Sequence, residues 1–259
     1  MNEIPSWMSR SELLMGDEPI KKLMKSHVLV AGLGGVGGIA AEMLARAGVG
    51  KLTLVDADVV EASNRNRQAP ALISTDGKLK TEVMAERIRD INPDIEIDIK
   101  TIFLQQGVTE PLLDAAKYDY AVDCIDTLSP KVFYIRACLD RNIPIVSSMG
   151  AGGKIDPTLL QVVDISESKN CNLARYVRKR LKSLGIKKGV KVVYSPEYAD
   201  PARIIPAPAD NPKKSLIGTI SYMPAVFGCM VASVVIRDLG GLESYNPGTP
   251  KRKKPQLKS

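Results

Sequence analysis

Apolar and polar positions change period several times along the chain, and each change marks an element. "HVLVAG" (27–32) is a short, almost wholly apolar run ending in glycine, which reads as a buried strand. "GIAAEMLARAGVG" follows with helical spacing and a closing glycine. "KLTLVDAD" is a second strand that ends on acids, and "LKTEVMAERIRDINP" is an amphipathic helix stopped before Pro93. "DIEIDIK" alternates as a strand, "YDYAVDCID" is another strand, "LSPKVFYIRACLDRN" a helix and "IPIVSSMG" a strand. A short helical lead-in occupies 11–25. This alternation to about residue 150 predicts the α/β class: a Rossmann-like, doubly wound, mostly parallel sheet with helices on both faces.

Beyond residue 150 the rhythm changes. "PTLLQVVDIS" reads as a strand, "NLARYVRKRLKSL" as a helix and "GVKVVYSPEY" as a strand; a proline-rich loop (201–212) and the apolar helix "MPAVFGCMVASVVI" (223–236) follow. The expected organisation is a lead-in over 1–26, a Rossmann-like core over 27–165, a C-terminal strand/helix extension over 166–242 and a disordered tail over 243–259. The apolar run is too short to span a bilayer and ends at Arg237, so it is expected as a buried helix without stable membrane insertion.

Charge changes the reading of the extension. The net charge of +7 is spread unevenly: 168–196 holds no acid but nine basic residues, among them Arg175, Arg178, Lys179, Arg180 and Lys182. A solvated helix face is the plain explanation, but so many like charges repel unless an anion is near, and a polyanion such as RNA fits. The basic cluster "KRKKPQLK" near the end of the chain reads as part of the tail. Cys124, Cys138, Cys171 and Cys229 form no CxxC pair, so the spacing suggests neither a zinc clasp nor a disulfide framework and predicts a reducing, cytoplasmic setting. The first ten residues carry no secretory pattern.

The chemistry centres on Gly32-x-Gly34-Gly35-x-Gly37, between strand and helix. Glycines let the backbone turn sharply and let a phosphate approach the helix N-terminus. Asp56 ends the second strand 19 residues after Gly37, where a Rossmann fold hydrogen-bonds a ribose. An adenosine and its phosphates are expected, and these residues alone do not separate a dinucleotide from ATP. The loop "DADVVEASNRNRQ" then brings Asp56, Asp58, Asn64, Arg65 and Arg67, with Lys80 at the start of the next helix and Asp126 just past the fourth strand. Cations beside phosphate, and a carboxylate suited to Mg²⁺, favour a metal–triphosphate site. Gly150, Gly152 and Gly153 make a second turn, read as a pocket lining, a seat for Na⁺ or K⁺, or a plain tight turn. His27 and the cysteines are read as packing residues, with Cys171 the one thiol beside cations.

"GLGGVG", "DADVVEASNRNRQ", "GKLKTEVMAERIRDINP" and "VDCIDT" together resemble the adenylating domain shared by ubiquitin-activating enzymes and the bacterial proteins ThiF, MoeB and HesA. The resemblance implies that Asp56 holds the ribose, Asn64 and Arg67 contact phosphate, Lys80 serves the α-phosphate and Asp126 binds magnesium. It also implies, through "RSELLMG", that Arg10 reaches the ATP of a partner subunit, making a homodimer. "MGAGGKIDPTLLQVVDIS" with "NLARYVRKRLKSLGI" resembles the branch of tRNA threonylcarbamoyladenosine dehydratases. That branch implies ATP-dependent activation of the modification's carboxylate and ring closure with loss of water, tRNA on the basic helix, and a sulfur-transfer protein as a further partner. The chain departs from the branch at "NCNLAR", where an acid and a proline are usual, and has no cysteine just before its last helix.

The chemistry agrees with a chain that has one histidine. A carboxylate is already ionised at neutral pH and needs no base to attack phosphorus. The barrier is anion meeting polyanion, which cations address. Three other readings stand beside it: adenylation of the C-terminal glycine of a ubiquitin-like sulfur carrier, an NAD-dependent oxidoreductase, and a non-catalytic nucleotide-binding scaffold.

Overall fold

The computed structural model of the chain describes residues 3–207 and 215–242. Helices α1 (Ser9–Met15) and α2 (Asp17–Met24) precede β1 (His27–Ala31), α3 (Gly37–Arg46), β2 (Lys51–Val55), α4 (Lys80–Ile91) and β3 (Glu96–Lys100). Then come α5 (Thr109–Asp114), β4 (Tyr120–Asp123), α6 (Leu128–Asp140), β5 (Ile145–Ser148), β6 (Gln161–Asp164), α7 (Asn172–Ser183) and β7 (Lys191–Tyr194). A β8 (Ile204–Pro206) and β9 (Ser215–Ile217) hairpin leads to α8 (Tyr222–Gly240).

Seven strands form one sheet in the order β3-β2-β1-β4-β5-β7-β6. All neighbours are parallel except β6, which runs antiparallel to β7. The doubly wound α/β expectation therefore holds, and β7, from the stretch expected as an extension, inserts between β5 and β6. Strand order reverses between β1 and β4, which opens a crevice at their carboxyl ends.

β1 is buried along its whole length because helices cover both faces. One core packs α3, α4 and α8 against the sheet, with Leu44, Met84 and Phe227 fully buried. The other packs α5, α6 and α7, through Leu112, Ile135 and Val177.

Several elements differ from their sequence reading for local reasons. The lead-in breaks at Gly16, whose φ of 80° ends α1. β2 stops at Val55 because the next residue turns its carboxylate back onto backbone N–H groups. "PTLLQ" begins as a 3-10 turn before β6. Part of the proline-rich loop pairs as β8 with β9, whereas 208–212 of that loop and the tail 243–259 lie outside the described residues. α8 is also longer than expected: at 19 residues it is long and apolar enough to cross a bilayer by length and composition, so the length argument against spanning fails. Half of it is buried inside the molecule, with Met223, Val231 and Val235 in the core against α3 and α2.

Candidate active site

The glycine turn lies between β1 and α3 at the crevice, and protein packing demands three of its four glycines. A Cβ on Gly32 would stand 2.9 Å from the Cys124 carbonyl oxygen, and one on Gly37 would collide with the Gly32 carbonyl. One on Gly35 would meet Pro224 Cβ at 2.8 Å and the Arg67 carbonyl at 3.0 Å. Gly34 differs: an added Cβ there would meet only the Gln68 amide, 3.7 Å away, which is ordinary contact. Gly34 is therefore the one glycine of the turn that packing does not demand, and Gln68 Oε1, buried next to it, has no hydrogen-bond donor. A glycine with room beside it and a helix start fit a phosphate-bearing ligand.

Asp56 ties the turn to the loop that follows β2. Its Oδ2 accepts from Leu33 N–H at 2.6 Å and its Oδ1 from Asp58 N–H at 2.8 Å. Burial raises its carboxyl pKa against the pull of these bonds. Lys80 is buried at the start of α4, and its ammonium reaches Asp58 Oδ2 at 2.8 Å. Asn64 is buried, accepting from Glu61 N–H and donating to Ser63 Oγ. Arg67 Nη1 donates to the Ser63 carbonyl at 2.9 Å and Asn66 Oδ1 at 2.7 Å, while Asn66 Nδ2 donates to the Thr219 carbonyl. A chain of contacts thus links the glycine turn to Asp56, Asp58 and Lys80 on one side and to Arg67 and Asn64 on the other.

Asp126 is exposed on the loop between β4 and α6, and that loop packs on the glycine turn through Cys124. A buried network anchors the loop. Asp123, at the end of β4, accepts from Ile125 N–H through Oδ1 at 3.0 Å. Its Oδ2 accepts from Lys131 Nζ at 2.7 Å and Ser147 Oγ at 2.6 Å. Lys131 and Asp123 are both fully buried, so one ion pair and its hydrogen bonds join β4, β5, α6 and the loop. Among the described residues no group of three or more His, Cys, Asp or Glu could hold a metal by itself; a single carboxylate still suits Mg²⁺, which shares its shell with phosphates and water.

Arg10 lies elsewhere. Met8 is packed beneath Gly48, in the turn joining α3 to β2 at the amino edge of the sheet. Arg10 stands one helical step beyond it, exposed.

The basic block is carried by α7, which buries Ala174, Val177 and Leu181. Arg175, Lys179, Arg180 and Lys182 are exposed. Arg178 behaves differently: it is half-buried, and its Nη1 donates to the Ser168 carbonyl at 2.6 Å and Ser168 Oγ at 2.7 Å, fixing the segment before α7.

The remaining sequence candidates answer to packing. His27 is buried, with Nε2 2.8 Å from Thr53 Oγ1, and burial lowers its pKa. Burial pushes the Cys124 thiol up, and that of Cys138 to about 12. Gly152 and Gly153 pack against Ile217 and Ala199, where an added Cβ would stand 3.1 Å and 2.5 Å from them. Sequence reasoning missed Gln68 and Lys131. Lys131 carried a signal, since it falls on the apolar spacing of Leu128, Val132 and Ile135.

The profile of the ThiF family matches residues 8–257. The tRNA threonylcarbamoyladenosine dehydratase of Bacillus subtilis is 40% identical over 247 residues, covering 89% of this chain and 93% of that protein. The structure of the Escherichia coli tRNA N6-threonylcarbamoyladenosine dehydratase TcdA in complex with ATP superposes with a TM-score of 0.83 at 34% identity, covering 93% of this chain and 98% of that one. The sulfur carrier protein ThiS adenylyltransferase of Escherichia coli is also 40% identical, but over 139 residues, 52% of this chain and 54% of that protein.

Proposed function

The chain belongs to the ThiF family, and from that premise we propose that it is an ATP-dependent tRNA threonylcarbamoyladenosine dehydratase. The observation that carries the reading is the extent of the likeness. The dehydratase relative covers 89% of this chain and 93% of its own length, whereas the sulfur-carrier relative covers 52% and 54%.

In this reading ATP lies across the glycine turn, with its ribose on Asp56 and its phosphates beside Gly34, Asn64 and Arg67. A carboxylate oxygen of the modified adenosine attacks the α-phosphorus, and the bond to pyrophosphate breaks. Lys80 and Arg67 offset the charge that gathers there. Lys80 is already oriented by Asp58, so it meets the phosphate by exchanging one anion for another. Asp126 is the carboxylate that would hold Mg²⁺, which supplies neutralisation of phosphate charge. An internal nucleophile of the same modified base then attacks the acyl carbon and AMP departs, with proximity supplying much of the rate. No protein nucleophile is needed, which suits buried thiols with raised pKa values.

The protein acts as a homodimer with Arg10 serving the partner's ATP. α1 sits at the amino edge of the sheet, and five-residue strands put the nucleotide edge about 16 Å away, beyond reach of an arginine. Leu13 and Leu14, 81% and 85% exposed on α1, supply apolar surface for such a contact. Mixing Arg10→Ala with Lys80→Ala protein should restore activity through hybrid dimers; absence of recovery removes the trans role.

The deciding experiment is mass spectrometry of nucleosides after incubation with ATP, magnesium and tRNA. Threonylcarbamoyladenosine should lose the mass of one water with the wild type and not with Lys80→Ala. An unchanged nucleoside with active adenylation of a sulfur-carrier peptide would favour the other branch.

A further inference from the structure

Tyr176 stands on the solvent face of α7, 48% exposed and opposite the buried stripe of Ala174, Val177 and Leu181. Its ring is already partnered on one side: the guanidinium carbon of Arg175 lies 4.8 Å from the ring centroid, and Arg175 Nη2 donates to the phenol oxygen at 3.2 Å. Lys179, three residues on, lies on the same exposed face of the helix, and Lys182 is exposed one turn further, both inside the run that contains no acid. A solvated helix face needs no aromatic ring, and tyrosine is a weaker helix former than the lysines and arginines around it.

A flat ring backed by a cation and flanked by lysines suits one kind of ligand. The π-face of an unpaired base stacks on the ring while neighbouring phosphates meet the lysines. Paired RNA hides its base faces, so the arrangement favours a loop over a duplex. The position agrees. α7 begins beside the second glycine turn, where a Cβ on Gly150 would lie 3.9 Å from Cys171 Sγ, at the carboxyl edge that carries the ATP site. Helical side chains lean toward the N-terminus, so the ring covers the turn nearest that edge.

We propose that Tyr176, backed by Arg175, stacks an unpaired nucleobase of an RNA loop and so holds the loop over the active edge. This rests on the tRNA reading above and adds to it a contact that carries no charge. The test uses an anticodon stem–loop bearing threonylcarbamoyladenosine and a fully paired RNA of equal length, titrated against wild type, Tyr176→Ala and Tyr176→Phe, with circular dichroism as the fold control. Tyr176→Ala should weaken stem–loop binding about 5- to 100-fold, the worth of one stacked base. The slope of affinity against salt should not change, because no phosphate contact is lost. Tyr176→Phe should bind as wild type does, and duplex binding should be the same for all three. Equal stem–loop affinity of Tyr176→Ala and wild type overturns the proposal. So does an equal loss on the duplex, or a phenylalanine variant as weak as alanine. A wild type that binds no stem–loop at all overturns the tRNA reading itself, and is told apart because it precedes any substitution.

Discussion

The two halves of the sheet's carboxyl edge treat charge in opposite ways. Around β1 and β4 three cations meet carboxylates, Lys80 on Asp58, Arg65 on Asp76 and Lys131 on Asp123, while Arg67 is held by neutral oxygens. On α7 no ion pair among the described residues involves Arg175, Lys179, Arg180 or Lys182, and their protein partners are a tyrosine ring and a serine hydroxyl. Matched charges hold a fixed geometry, which a reaction at a single phosphorus requires. Unmatched charges keep their attraction for a polyanion, at the cost of mutual repulsion while it is absent. Identical residue types therefore do different work according to what the fold sets beside them.

The sharpest way to break the matched half is Lys131→Met. It strands Asp123 as a buried, uncompensated carboxylate and should cost about 3–5 kcal/mol in urea unfolding. Adding Asp123→Asn, which keeps an acceptor for Ile125 N–H, should return most of that loss. If the double variant is as unstable as the single one, charge is not what the pair contributes.

The next contrast lies within α7. Arg175, Lys179 and Lys182 changed together to glutamate should weaken tRNA binding and flatten its salt dependence while leaving thermal unfolding near wild type. Arg178→Gln should do the reverse, costing about 1.5–3 kcal/mol through its lost bonds to Ser168 with little change in salt slope. Matching salt slopes for the two variants would erase the distinction.

The smallest effect belongs to Glu42, which joins α3 to α4 through Arg46 and Arg87. Burial raises its pKa, but the hydrogen bonds from Arg87 and Arg46 prevail and the net shift is downward. A carboxylate with a lowered folded pKa adds stability that is present above its unfolded pKa and lost as pH falls through the folded one. Glu42→Gln should therefore lose stability at neutral pH and show a flatter acid limb in thermal melts. Parallel pH curves for the two proteins would contradict this.

What could be read from the sequence was what local spacing encodes. β1, α3 and α4 announced themselves by period and punctuation, Asp56 by its distance from the glycine turn and Lys80 by its place at the head of α4. α5 was missed because six residues give too little periodicity. Arg178 was grouped with its basic neighbours, although its spacing from Ala174, Val177 and Leu181 places it at the rim of the apolar stripe. Gln68 was hidden for another reason: an unsatisfied amide becomes visible only once burial is known.

One feature of the fold bears on how such enzymes can be recombined. The floor of the nucleotide site is finished by the far end of the chain. Pro224 seals Gly35, α8 packs so closely at Gly228 that a Cβ there would stand 2.5 Å from the Val36 carbonyl oxygen, and Asn66 is moored to Thr219. The half of the chain that carries the glycine turn is therefore not a cassette that can be cut out and grafted. A chimera that exchanges only that half inherits a glycine turn without its lid-side neighbour, and the seam must be designed at α8 as well as at the join in sequence.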